Sequence, residues 1–213
     1  MTPEADAPSL PASQRILDAA ELTFSEDGFA GAAMKVIAAR ANVAQGLVHY
    51  HFDTKERLYA AVIGRRAEDI NSERLARLEQ VDTAAPDALE RIMEALLRPP
   101  LGPAGGGEAY ARIFSGLLVG GPREAELVRR HYDETARRFI AAFASVRPEA
   151  SAATLSWGYN FAIGALIATV ARTGRPERLI GADPTEDTDS IVDRLVTFAT
   201  GGLETAIAVE GDI

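Results

Sequence analysis

A chain of 213 residues, 47% of them apolar, can bury one sizeable core or a small domain beside a larger one. The absence of cysteine excludes disulfides and thiolate metal sites, and a net charge of −9 argues against a general binder of polyanions. No run approaches the roughly 18 apolar residues of a membrane span, so no membrane partner is expected.

Residues 1–8 are acidic and Pro-rich and read as a disordered lead-in rather than a signal peptide. Ser9 or Ser13 then caps a first helix whose apolar residues Ile16, Leu17, Ala20 and Phe24 recur at helical spacing, and Gly28 ends it. Two short helices follow. The first carries Val36, Ile37 and Ala39–Ala41. Asn42 tolerates a left-handed turn, and Val43 points back to the core. The second runs from Ala44 to about His51, with Leu47, Val48 and Phe52 on its apolar face and Gln45, His49 and Tyr50 on the other. Two short helices across a tight turn, the second presenting polar and aromatic side chains outward, match the helix-turn-helix of major-groove readers. Asp53 and Glu56 read as N-cap and N3 of the next helix, which extends from Thr54 to about Gln80. Leu58, Tyr59, Val62 and Ile63 face inward there, and an Arg/Glu-rich, alternating-charge face follows.

Charge distribution sharpens this. The only two lysines, Lys35 and Lys55, fall in this stretch, and Met34–Arg66 holds six basic residues against Asp53 and Glu56, about +4 on an otherwise acidic chain. A small basic footprint suits contact with phosphate at one edge. A solvated surface that happens to be basic accounts for the same charges.

The run Ile16-Leu17-Asp18-Ala19-Ala20, then Phe24-Ser25-Glu26-Asp27-Gly28-Phe29, Ile37-Ala38, Asn42-Val43-Ala44-Gln45-Gly46 and Tyr50-His51-Phe52-Asp53-Thr54-Lys55-Glu56-Arg57-Leu58 resembles the TetR family of bacterial transcriptional regulators over about residues 12–62. The resemblance implies a DNA contact set of Lys35, Gln45, Gly46, Leu47, His49, Tyr50, His51, Thr54 and Lys55. Lys35 and Lys55 would touch the phosphate backbone. Gln45 is a residue type that hydrogen-bonds adenine, and Gly46 lets the backbone come close. For His51, a core or capping role stands beside phosphate contact. The sequence departs from the family twice. Gly31-Ala32-Ala33 replaces the usual Ser or Thr opening the second helix, and His49 replaces the more frequent Tyr.

Further along, Asp87 to Leu97 reads as a short helix. The breaker cluster Pro99–Gly107 reads as a mobile surface loop. Helices are expected from Glu108 to about Gly120, Arg123 to Val146, Pro148 to about Arg172, and Ser190 to about Val209, with a loop over 173–187. The fold expected is all-α: an N-terminal three-helix helix-turn-helix DNA-binding domain over 9–57, joined to a C-terminal ligand-binding and dimerisation domain over 58–213, a bundle of about six helices.

The last two long helices are apolar on more than one face, as a helix buried on several sides would be. Leu166, Ile191, Leu195 and Phe198 are candidates for a homodimer interface, as the resemblance implies; ordinary packing within one chain is the alternative. Met93, Tyr110, Phe114, Tyr132, Trp157 and Phe161 are candidates for an effector cavity, where plain core filling is again the alternative. His49 and His51, two apart on a helix, diverge by about 200° and cannot chelate one metal. No catalytic set or phosphate loop stands out, so no enzyme and no cofactor is expected. The reading is a cytoplasmic, homodimeric, ligand-responsive regulator, a repressor released from a palindromic double-stranded operator by a small, mostly apolar effector. An enzyme and a non-DNA-binding dimeric adaptor are the weaker alternatives.

Overall fold

The computed structural model describes residues 10–171, 173–181 and 187–211, and these are helical with short connections. The expected lead-in over 1–8, and Ser9, lie outside them. The chain divides into two compact units, 1–65 and 66–213, with the division inside one helix.

The first unit holds α1 (Ala12–Gly31), α2 (Met34–Arg40), α3 (Gln45–Phe52) and the start of α4 (Lys55–Leu78). Pro11, not a serine, caps α1. Gly28 breaks the regular helix at φ 67°, a backbone region open to glycine at little steric cost. Ile16, Ala20, Phe24, Ile37, Val48 and Leu58 form the buried core. Tyr59 sets its ring edge-on to Phe24 at 4.9 Å and Phe29 at 5.1 Å, which carries the first turns of α4 into this unit, past the boundary expected after Arg57. Arg65, largely buried, forms ion pairs with Asp18 at 2.6 Å and Glu21 at 2.7 Å. Burial alone would lower its pKa; the hydrogen bonds it donates to the two carboxylates, with their charges, outweigh that and raise it.

The second unit continues with α5 (Ala88–Leu97), two 3-10 turns (Pro99–Leu101 and Pro103–Gly105), α6 (Gly107–Val119), α7 (Pro122–His131), α8 (Asp133–Val146), α9 (Ala152–Val170), α10 (Arg175–Ile180) and α11 (Thr188–Gly211). α11 packs along both α9 and α5. Gly158 allows the close approach of α9 and α11, since a Cβ there would lie 2.6 Å from Leu203 Cδ1.

Several expectations change. The cluster 99–107 is not a surface loop: Pro99, Pro100 and Gly105 are buried, and a Cβ on Gly105 would meet the Pro100 carbonyl oxygen. The stretch expected as one helix over 123–146 breaks at Tyr132 (φ −124°, ψ −29°). A carbonyl left at that break, His131 O, accepts a 2.7 Å hydrogen bond from Asn71 Nδ2. Ser151 rather than Pro148 starts α9, its hydroxyl accepting from Thr154 N–H at 3.1 Å. The loop expected over 173–187 contains α10, bracketed by Gly174 and Gly181, both left-handed. Contrary to the apolar-run expectation, α9 is long and apolar enough to cross a membrane by length and composition alone.

Candidate nucleic-acid interface

Asn42 takes φ 52° and closes the turn between α2 and α3, with Val43 N–H donating to Ala38 O at 3.0 Å. Short polar side chains tolerate this left-handed backbone. Val48 is fully buried and seats α3 on the core, while Leu47 and Phe52 are half-buried. The opposite face of α3 carries Gln45, Gly46, His49 and Tyr50, all exposed, Tyr50 at 81%. An exposed phenol of that size is apolar surface left in water, which a partner would cover.

Packing within the chain does not require the glycine at position 46. Its φ is not positive, and a Cβ there would have nothing within 4 Å. Gly46 sits in the first turn of α3, on the exposed side of the helix.

His49 is held by its own helix end: Nδ1 lies 2.9 Å from the Asp53 carbonyl oxygen, which can only accept, so Nδ1 donates there. His51 is exposed with its ring edge-on to Tyr50 at 5.3 Å, so it fills no core position. Asp53 ends α3 in a positive-φ conformation (φ 60°) instead of capping α4. The cap is Thr54, whose Oγ1 accepts from Arg57 N–H at 3.2 Å. Asp53 instead pairs with Arg57 at 3.0 Å on the surface.

The basic footprint is narrower than the sequence count. Arg65 is inside the first unit, Arg40 pairs with Glu26 at 2.7 Å, and Arg66 pairs with Asp69 at 3.7 Å. Lys35 is exposed. Lys55 Nζ donates to Ala32 O at 2.9 Å and Ala30 O at 3.3 Å, and lies 4.6 Å from the Phe29 ring centroid. Two of its three hydrogens therefore tie down the α1–α2 connection, leaving one for a phosphate.

The six candidates for an effector cavity separate. Tyr110, Phe114 and Tyr132 line one small cavity in the second unit, and Met93 is fully buried away from it. The Tyr110 and Tyr132 hydroxyls are 2.5 Å apart, and burial pushes the Tyr132 phenol up to about 12. Trp157 and Phe161 belong elsewhere: they are 59% and 67% exposed, because a helix apolar all round does not reveal from sequence which face is covered. With Phe198 they line an apolar trough of about 440 Å³ along α9 and α11. Of the interface candidates, Leu166 and Leu195 pack inside the unit, Ile191 is half-buried and Phe198 is exposed. Among the described residues no group of acidic and histidine side chains could hold a metal.

A three-helix module with an outward α3, followed by a separate helical unit, defines a helix-turn-helix protein with its own C-terminal domain. The family model for bacterial regulatory proteins of the tetR family matches residues 16–62, and the tetracyclin repressor-like C-terminal domain matches 90–202. The second alone covers more than half of the chain, and the chain belongs to the TetR family. The HTH-type transcriptional regulator UidR of Escherichia coli (strain K12) is 43% identical over 53 residues, 25% of this chain and 27% of UidR. The chain thus aligns with about a quarter of the length of the curated relatives it matches. Among solved structures, the fatty acid degradation regulator FadR from Bacillus halodurans superposes with a TM-score of 0.68 at 14% identity, covering 89% of this chain and 98% of FadR. A TetR-like transcriptional regulator from Rhodococcus sp. RHA1 gives 0.62 at 21% identity over 93% and 99%. At these identities the likeness concerns the fold.

Proposed function

We propose that this chain is a DNA-binding transcriptional regulator that acts as a homodimer in the bacterial cytoplasm, with α3 as its reading helix, and represses until a small molecule bound in its second unit releases it. The observation that carries the reading is the outward face of α3, where Gln45, Gly46, His49 and Tyr50 are exposed and Gly46 opens the backbone without any internal need. Gln45 suits bidentate contact with adenine, and a phosphate is within the chemistry of Lys35, His51 and the remaining Lys55 hydrogen.

The trough along α9 and α11 supports pairing with a second copy through Trp157, Phe161 and Phe198. Contiguous apolar surface of this kind on a monomer marks an interaction site. Two reading helices of a dimer must meet successive major grooves, on the order of 34–36 Å or a longer multiple apart. A ligand that favours another arrangement lowers operator affinity by linkage. Electrophoretic mobility shift with the DNA flanking the chain's own reading frame tests the reading. A discrete retarded band that survives excess unrelated duplex is expected; no retardation even at low salt would leave the chain without its DNA role.

A further inference from the structure

α4 carries Arg74 into the interior of the second unit, where it is 1% exposed. Its Nε donates to Leu96 O at 2.8 Å, a carbonyl in the last turn of α5 where helix acceptors lack intrahelical partners. Its Nη2 is buried and has no hydrogen-bond partner. The groups that act on its charge are the phenols of Tyr159, Tyr132 and Tyr110, with no carboxylate among them. Arginine keeps its proton in proteins, and a buried guanidinium ordinarily faces a carboxylate or phosphate. Capping α5 occupies Nε alone and leaves the far end of the fork unexplained.

Arg74 lines the same cavity as Tyr110 and Tyr132, whose remaining wall includes Ile70, Ala111, Phe114 and Val170. The site therefore joins one positive charge and two phenols to an apolar enclosure. That set fits a single negative charge on an apolar body. A phosphate dianion is poorly matched, because Arg74 is the one basic side chain among those lining the cavity. A neutral ligand would leave the guanidinium as it stands.

We propose that the effector is a monocarboxylic acid with an apolar body, its carboxylate pairing with the Arg74 guanidinium and accepting a hydrogen bond from the hydrogen-bonded Tyr110–Tyr132 hydroxyl pair. This rests on the reading of the chain as a ligand-responsive regulator. The free volume beside Arg74 is about 10 Å³, room for one water, so the acid enters only by parting the walls. Pro100 and Gly105 of the 3-10 turns and Tyr110 and Phe114 of α6 are the walls that must move. A ligand that binds only the opened arrangement shifts the unit's conformational equilibrium, as release from DNA requires.

The test is isothermal titration of the full chain, near neutral pH, with a panel of straight-chain, branched and aryl monocarboxylates, each against its primary amide. Duplex release by the same compounds is measured in parallel. At least one acid should bind about tenfold to a hundredfold tighter than its amide, and Arg74→Gln should abolish that preference while Arg74→Lys retains part of it. Equal binding of acids and amides, or a preference that survives Arg74→Gln, overturns the proposal. If no acid binds, it is overturned too, and a water at Nη2 accounts for the site. Should Arg74→Gln fail to fold, the acid–amide comparison on the unaltered chain decides. Release of DNA by neutral compounds alone would sink the carboxylate and leave the effector reading standing, whereas failure to bind DNA at all sinks the reading itself.

Discussion

Replacing Lys55 by methionine keeps most of the stem and removes the ammonium. The ammonium donates a part-buried hydrogen bond of 2.9 Å to Ala32 O and an exposed one of 3.3 Å to Ala30 O. A bond from a charged donor contributes about 1.5–3 kcal/mol, and solvent access to this head group places it near the lower end. The longer bond adds little, and the contact with the Phe29 ring adds about 0.5 kcal/mol at a partly exposed site. The first unit should therefore lose about 2 kcal/mol, a shift of several degrees in its melting curve by circular dichroism. The third hydrogen of the ammonium is the one available to phosphate. Its loss should flatten the dependence of log affinity on log salt by about one unit per contact, two per dimer. A melting curve that superimposes on that of the unaltered chain refutes the tie between Lys55 and the α1–α2 connection. An unchanged salt slope refutes the phosphate contact.

Phe198→Glu places a charge on the exposed trough and should give folded monomers by sedimentation velocity with weakened operator binding; a stable dimer would remove this face from the interface. Leu195→Asp, by contrast, buries a charge inside the unit and should unfold it, so loss of dimer there says nothing about pairing. Tyr132 makes stability depend on alkaline pH. Its folded pKa is raised from 10.0 to about 12, so the unfolded chain ionises first and stability falls as pH rises from 10 towards 12. The full shift corresponds to about 2–3 kcal/mol, and Tyr132→Phe should flatten that limb of a denaturant midpoint-versus-pH profile; an equally steep limb in the variant would assign the loss to other groups.

The reading unit was legible because its signals are local. Asn42 had to accept a positive φ, and Val48 and Tyr50, two apart on a helix, had to fall on opposite faces of α3. The cap of α4 was misplaced by one residue because Asp53 and Thr54 are both good caps, and only the observed φ of Asp53 separates them. The second unit was less legible because its decisive contacts are distant in sequence. No glycine or proline marks the break at Tyr132; what holds it is Asn71, 60 residues away, on the freed carbonyl. Arg74 lies in a stretch whose alternating charges suggest a solvated face, and only the Leu96 carbonyl, 22 residues on, shows that it is inside. Trp157 and Phe161 could not be told from cavity residues, since composition does not say which side of an apolar helix a neighbour covers. α10 carries local signals, Pro176 in its first turn and glycine at both ends, but the same residue types also favour a loop.

The central claim, that α3 reads duplex DNA from within a symmetric dimer, is tested most directly by selecting bound sequences from a random duplex pool with the full chain. The same selection is repeated on Gln45→Ala. The account predicts a partial palindrome whose half-sites are separated by whole helical turns. In Gln45→Ala, preference at one symmetric pair of positions should relax, at a cost of about 1–3 kcal/mol per half-site. A pool that stays unenriched, or an enriched site without two-fold symmetry that Gln45→Ala leaves unchanged, would contradict it.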